Sequence, residues 1–126
     1  MELLKTDGEH IEFNEEKQIK TIEFYKNNKK NGETRVYEKS LLKEKKQYKE
    51  DALDGRFEQY TDNILTLSLN YIQNEIEGIA YTFYPNGLIQ SIMNYKNSKQ
   101  HGVMLFFNEQ GLLLMRKNYE NNILDG

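Results

Sequence analysis

The sequence of 126 residues predicts an all-β fold, an elongated single-layer antiparallel meander of about five stacked β-hairpin repeats. Three observations predict it. Glycines recur every 23 or 24 residues, at Gly8, Gly32, Gly55, Gly78, Gly102 and Gly126. A tyrosine stands seven residues before each of the last five glycines, at Tyr25, Tyr48, Tyr71, Tyr95 and Tyr119. An aromatic stands five residues after each of the first five, at Phe13, Tyr37, Tyr60, Phe83 and Phe107. One period held in three registers is typical of a repeat protein.

Each repeat unit is predicted to form one β-hairpin. In the unit that begins at Gly78, two runs rich in aromatic and branched residues favour strands. The turn residues 85–87 lie between the runs and end in a glycine, which supplies the positive φ that hairpin turns need. Alternation places Ile79, Tyr81 and Phe83 on one face of the first strand. A polar stretch then links each hairpin to the next.

The unit boundaries follow the glycines, and the whole chain, residues 1–126, is predicted to be a single repeat domain. The units span about residues 8–31, 32–54, 55–77, 78–101 and 102–125. First strands are expected near residues 9–13, 33–37, 56–60, 79–84 and 103–107, and each second strand is expected to end at the repeat tyrosine. The chain should therefore contain about ten strands.

Two second strands are of special interest. Residues 39–50 are rich in Lys, Glu and Leu and have good helix propensity, but Tyr48 stands at the repeat position. We therefore predict a charged strand there. In the following unit, simple alternation places four side chains on one face: Leu65, Leu67, Leu69 and Tyr71.

Composition argues against several classes of function. The net charge is −3, which is unlike the basic footprint of a nucleic-acid-binding protein. The chain has no cysteine, so it has neither disulfides nor a thiolate site. His10 and His101 fall at different places in their units and do not form a metal site. No serine is spaced for a nucleophilic pair, so we expect no catalytic residues, no metal and no cofactor.

The N-terminal residues 1–5 lack the apolar run of a signal peptide, and no 18-residue apolar stretch occurs. This predicts a cytoplasmic protein, and it leaves open that a signal peptide has been trimmed.

A glycine, an aromatic, an Asn-Gly turn and a second strand ending in tyrosine recur together. The clearest unit begins at Gly78 and contains Phe83, Tyr84, Pro85, Asn86, Gly87, Ser91 and Tyr95. This unit resembles the MORN-repeat variant found in many bacterial proteins, and the resemblance extends over residues 8–125. The first two units depart from it, because residues 14–17 and 38–40 contain no turn glycine. In the third unit, Asn63 can stand in for glycine.

The resemblance implies a twisted sheet of stacked hairpins with a non-catalytic protein–protein interaction or scaffold role. Some relatives are antitoxins, which makes an antitoxin or immunity-type binding protein one alternative. Binding to a phospholipid membrane surface is the other. The lysine-rich residues 39–49 support it weakly, because acidic residues interleave with the lysines.

The repeat glycines and tyrosines both allow a structural interpretation. The glycines are expected to adopt positive φ or to lie where a Cβ would collide with the neighbouring unit. Each tyrosine is expected to stack on the tyrosine of the next unit, and an exposed aromatic row that docks a partner is the alternative. Three aromatics are candidates for contact with a protein partner: Tyr81, Tyr84 and Phe106.

The two ends of the chain differ. The N-terminal units carry more charged residues in their strands and are expected to be softer. Residues 112–115, in the second strand of the last unit, are among the most apolar in the chain. An exposed apolar edge strand recruits another edge, so we expect self-association through this strand, most simply as a two-fold dimer, or else its covering by a partner.

Overall fold

The computed structural model describes residues 4–124, which form one open antiparallel sheet of 14 strands. In chain order the strands are β1 (Gly8–Phe13), β2 (Ile19–Lys26), β3 (Lys29–Lys30), β4 (Gly32–Glu38), β5 (Leu41–Lys49), β6 (Ala52–Thr61), β7 (Ile64–Ile72), β8 (Glu75–Ile76), β9 (Gly78–Phe83), β10 (Ile89–Lys96), β11 (Lys99–Gln100), β12 (Gly102–Phe107), β13 (Leu113–Glu120) and β14 (Ile123–Leu124). The prediction of an all-β meander is confirmed. Gly126 and the end of the last unit at Asp125 lie outside the described residues.

The strands follow one another across the sheet without a crossover. The order is β1-β2-β4-β5-β6-β7-β9-β10-β12-β13-β14, and the short strands β3, β8 and β11 pair with β2, β7 and β10. The expectation of about ten strands was wrong, because it omitted the two-residue strands. These arise because the connections between hairpins are themselves tight hairpins. Since this part of the chain holds no helix, it holds no helix that could cross a membrane.

The connections between hairpins, which we call the linking turns, share one backbone conformation. Both central residues of every linking turn have positive φ: Asn27 and Asn28, Glu50 and Asp51, Gln73 and Asn74, Asn97 and Ser98, Asn121 and Asn122. Positive φ at two central residues is the mark of the type I′ turn, whose twist matches that of the flanking strands. Asn and Asp tolerate this conformation better than most residues, which explains the polar composition of these turns.

The turns inside the hairpins, the internal turns, explain the alternation between 23 and 24 residues. Five residues separate the paired Phe13 and Ile19 in the first unit, whereas four separate Tyr37 from Leu42 in the second. The second and third units use two-residue turns at residues 39–40 and 62–63, with positive φ at both positions. The 24-residue units use a longer turn with one positive-φ residue near its end.

The lysine-rich residues 39–50 contain β5, which pairs with β4 and β6, so the prediction of a charged strand is confirmed. The expectation that Leu65 shares a face with Leu67 was wrong. Leu65 pairs with Tyr60, and Leu67 pairs with the preceding residue Gln59, so their partners point to opposite faces. A β-bulge shifts the register at this point and reverses the alternation.

The two faces of the sheet can be named by the repeat tyrosines. On the tyrosine face lie the least exposed apolar side chains, Ala80 at 0 % and Leu69 at 7 %, together with the buried Thr34 and Ser91. Ser68 is buried on the opposite face. No large side chain of the described residues is fully buried. This single-layer sheet therefore has a thin core of small residues, located in the central units.

Candidate partner-binding surface

An apolar groove lies along the internal turns of the last two units. Phe83, Leu88, Ile89 and Phe107 line it, together with turn glycines, and its volume is about 510 Å³. We call this surface the turn groove. Among the residues that the structure describes, no charged side chain lines it. An uncharged, mostly apolar lining suits an apolar ligand group rather than an ion.

Two equivalent internal turns build the groove. In the first, the backbone N–H of Tyr84 donates to the carbonyl of Leu88 at 2.9 Å, and in the second Asn108 donates to Leu112 at 2.9 Å. Gly87 and Gly111 adopt φ of 88° and 89° in these turns, and their missing Cβ leaves the groove open between the stacked turns. Backbone geometry therefore shapes the groove before any side chain contributes.

Two side chains hold the stacked turns together. The Tyr84 hydroxyl donates to the carbonyl oxygen of Phe107 at 2.7 Å. The Asn86 side-chain amide donates to the carbonyl oxygen of Glu109 at 2.9 Å. Both bonds join residues 23 positions apart, so they tie one unit to the next. The groove is thus held in one shape before a ligand arrives, which lowers the entropic cost of binding.

Exposed leucines continue the apolar surface beyond the groove. Leu88 is 44 % exposed, Leu112 66 % and Leu113 54 %. Leu113 pairs directly with Phe107, which places it at the end of the groove. A contiguous apolar surface of this kind is typical of an interaction site.

The three predicted partner-binding aromatics do not lie together. Tyr81 stacks on Phe83, with ring centroids 6.2 Å apart, and so stands beside the groove. Tyr84 uses its hydroxyl within the fold. Phe106 pairs with Ser91 and lies on the tyrosine face, opposite to Tyr81. Sequence reasoning missed Leu88 and Leu112, although one signal was available: each follows directly after a turn glycine.

The repeat tyrosines do not stack on one another. Among residues 4–124 their rings contact other side chains: Tyr25 contacts His10 at 4.9 Å and the Lys5 ammonium at 5.7 Å, Tyr71 contacts Phe57 at 5.7 Å, and Tyr48 contacts the Lys30 ammonium at 5.0 Å. The expected tyrosine ladder was wrong because the first strand of the next unit lies between two repeat tyrosines. Two strand spacings amount to about 9.5 Å, which is too far for ring stacking.

Charged side chains in the N-terminal half contact one another. The Lys30 ammonium lies 3.1 Å from Glu23, and the Lys46 ammonium lies 3.2 Å from Glu44. Burial alone would lower the pKa of Lys30, but the hydrogen bond and the negative charge of Glu23 have the larger combined effect, so the pKa of Lys30 is raised. Burial, reinforced by Glu23, also raises the pKa of Tyr25. These contacts have a structural explanation, and no metal-binding cluster of acidic residues and histidines occurs among the described residues.

Comparison with known proteins agrees with the repeat. The family model of the MORN repeat variant matches residues 6–27 and 76–97. The MORN repeat variant is thus found at two places in this chain. Each match begins two residues before a repeat glycine and covers the hairpin of the first or the fourth unit. A search of curated proteins found no match.

MORN repeats are generally associated with protein or membrane-lipid binding, and the family is a repeat module rather than an enzyme family. The second, third and fifth units lie outside the matched stretches. They form the same hairpins, and in the second and third units the internal turn is one residue shorter. The match itself indicates neither a bacterial source nor an antitoxin family.

Proposed function

We propose that this protein is a non-catalytic protein–protein interaction module, and that its turn groove binds an apolar segment of a partner protein. The observation that supports this is the uncharged and pre-shaped apolar surface formed by the exposed Leu88 with the half-buried Phe83, Ile89 and Phe107. Large apolar groups held in water contribute little to folding and are available for a partner. The MORN repeats give independent support for a binding role.

A protein partner suits this surface better than a membrane. Membrane-surface binding by such a sheet needs apolar groups and cations that face the same bilayer. One lysine-lined hollow is formed by Lys26, Lys29 and Lys49 with Glu50, at the linking turns of the N-terminal half. The turn groove lies at the internal turns of the C-terminal half, and the internal turns are at the opposite ends of the strands from the linking turns. Three further lysines, Lys20, Lys39 and Lys43, lie on the same side as the groove, but the hollows that they line also contain Glu15, Glu16, Glu38 and Glu44. That side therefore lacks the net positive charge that binding to an anionic bilayer needs.

The test inserts one charge in the groove and one on the exposed apolar surface beside it. We expect Leu88→Asp together with Leu112→Asp to abolish capture of a partner from a lysate of the native host. The matched control is Ile72→Asp, because Ile72 is 52 % exposed but lies next to a linking turn. The captured protein should then bind the purified wild-type protein, but not the groove variant, in calorimetry. Capture by the groove variant at wild-type level, or binding to anionic vesicles instead, would contradict the proposal.

We further propose an antitoxin or immunity role as a specific form of this binding, in which the groove binds a toxin made in the same bacterial cytoplasm. The resemblance to antitoxin-like repeat proteins supports this form. Co-expression with a toxin encoded next to this protein should restore growth, and the groove variant should fail to do so. Growth restored equally by both proteins would exclude the groove as the toxin-binding surface.

A further inference from the structure

We propose that copies of this chain associate head to tail, with β13 of one copy pairing with β1 of the next in the register that the repeat itself uses. This inference concerns the two edges of the sheet and does not depend on the turn groove.

Both edges are open in the described residues. No strand of residues 4–124 pairs with the outer side of β1, and β14 covers β13 only at Tyr119 and Glu120. Met115 is 42 % exposed, whereas Ser91, at the same repeat position, is 4 % exposed because β12 lies beside it. Unpaired backbone groups beside exposed apolar side chains favour the addition of a strand.

The internal junctions define the register of such an addition. Between the first and second units, Thr21 pairs with Val36 and Ile22 with Arg35. The junction between the fourth and fifth units uses the same repeat positions. In both junctions, the paired residues of the earlier unit lie 13 and 14 positions after its repeat glycine, and their partners lie four and three positions after the repeat glycine of the later unit. Applied to the open edges, this register pairs Met115 with Glu12 and Arg116 with Ile11 of the next copy. Two further pairs follow by continuation: Lys117 with His10, and Asn118 with Glu9.

This register brings opposite charges together on both faces. Glu12 lies 3.6 Å from Lys20 of its own copy, but its side chain is 60 % exposed and remains accessible to a second cation. On the tyrosine face, Lys117 lies diagonal to Glu12 of the next copy. On the opposite face, Arg116 lies diagonal to Glu9. Diagonal pairs on one face of a sheet are within reach of long side chains, and opposite charges there are favourable.

The two-fold dimer expected from the sequence lacks this advantage. Pairing of β13 with a second β13 brings two copies each of Arg116 and Lys117 into one short ladder, where like charges repel. A heterologous contact between different edges does not close on itself, so it produces an open series of copies rather than a dimer.

The contact should be weak. Only two residue pairs join β2 to β4, or β10 to β12, and those junctions also have a covalent connection. Between two copies that connection is missing, and Lys5 and Thr6 of the incoming copy compete with Ile123 and Leu124 for one position, because both pairs stand three and two residues before a repeat glycine. One of these short segments must move aside. We therefore expect association that grows with concentration between the micromolar and millimolar ranges.

The test reverses charge at each edge separately. Sedimentation velocity should show a weight-average mass that rises with concentration for the wild type. Glu9→Lys with Glu12→Lys, and Arg116→Glu with Lys117→Glu, should each weaken association by at least about tenfold. An equimolar mixture of the two double variants should associate again, because each altered edge then meets an edge of opposite charge. This rescue also shows that neither variant is misfolded.

The matched control is Glu38→Lys with Glu75→Lys, which makes the same change in net charge at exposed positions of the second and third units, away from both edges, and should associate like the wild type. Leu88→Asp alone, which alters the groove in the fourth unit and leaves both edges unchanged, should also associate, which separates this inference from the proposed function. A wild type that stays monomeric overturns the inference. So does a closed dimer, or normal association of the Glu9→Lys, Glu12→Lys variant, since two-fold pairing through β13 does not use β1.

Discussion

At the scale of single residues, this fold requires positive φ in every turn and at the repeat glycines of residues 4–124. Lys17 has φ of 64° and occupies the place in its internal turn that Gly87 and Gly111 occupy in the equivalent turns. Asn14 and Gln18 close that turn with the same backbone hydrogen bond, 2.9 Å long. The first unit thus keeps the turn without its glycine and accepts the strain of a side chain there.

Replacement of Lys17 should relieve this strain. We predict that Lys17→Gly raises the free energy of unfolding by about 1 kcal/mol, because glycine adopts positive φ without a steric penalty. Urea denaturation measures the change. Glu16→Gly is the control, since Glu16 lies in the same turn without positive φ and gains nothing from glycine. Equal stabilisation by both variants would contradict the strain argument.

The repeat glycines present the reverse case. Gly78 has φ of 85°, and an added Cβ would meet no atom within 4 Å. We predict that Gly78→Val lowers the free energy of unfolding by more than about 1 kcal/mol through backbone strain alone. A melting curve for this variant and for Ile79→Val, its exposed neighbour, tests this. An unchanged melting temperature for the glycine variant would show that the conformation at this position is not costly.

At the scale of elements, a ladder of side chains joins the linking turns. The backbone N–H of Leu53 donates to Asn74 Oδ1 at 2.8 Å, and the N–H of Asn74 donates back to the carbonyl of Leu53 at 2.8 Å. The same reciprocal pair joins Lys30 to Asp51. A short polar residue in each linking turn therefore holds the preceding hairpin in place.

This ladder can be tested at one position. Asn74→Ala removes the acceptor and leaves a side chain at φ of 68°, so we predict a loss of about 1–2 kcal/mol in the free energy of unfolding. Asn74→Asp should lose less than about 0.5 kcal/mol, because Asp51 makes the equivalent bond. Asn74→Gly removes the side-chain hydrogen bond but not the ease of adopting positive φ, so it separates the effect of the bond from the effect of backbone strain. Equal stability of the Ala and Asp variants would show that the hydrogen bond contributes nothing.

An ion pair within β4 gives a dependence on pH. The hydrogen bond from Arg35 lowers the pKa of Glu33 below its ordinary value of 4.5. Because the folded protein holds this proton more weakly than the unfolded chain, the contribution to stability is present above pH 4.5 and is lost as pH falls through the lowered pKa. Glu33→Gln should therefore lose less stability on acidification than the wild type. Glu15→Gln, in the exposed internal turn, is the control for thermal melts across this range.

At the scale of the whole molecule, stability is concentrated in the centre of the sheet. The most deeply buried residues lie between Thr34 and Ser91, whereas 112–115 in the last unit are all more than 40 % exposed. The apolar C-terminal strand is thus not a core element. Softer N-terminal units remain a prediction from the sequence, and the structure adds that the C-terminal unit should also be soft.

Hydrogen exchange measures this distribution directly. We predict the slowest amide exchange in β7, β9 and β10, with faster exchange in β1 and β13, because end units have a neighbour on one side only. Dilution should speed exchange in β1 and β13 together if copies associate head to tail. Uniform protection across all units would indicate a single cooperative unit without soft ends.

Local sequence determined the repeat, the hairpins and the meander, because a turn and its two strands are built from residues that are close in the chain. Even the one-residue difference between units follows from the internal turns. Tertiary structure decided three further matters: the face of Leu65, the separation of the repeat tyrosines, and the joining of the exposed Leu88 to Phe107 in one groove. Each depends on register and on pairing between strands of different units. A bulge of one residue reverses a face, and periodicity within a single strand does not contain that information.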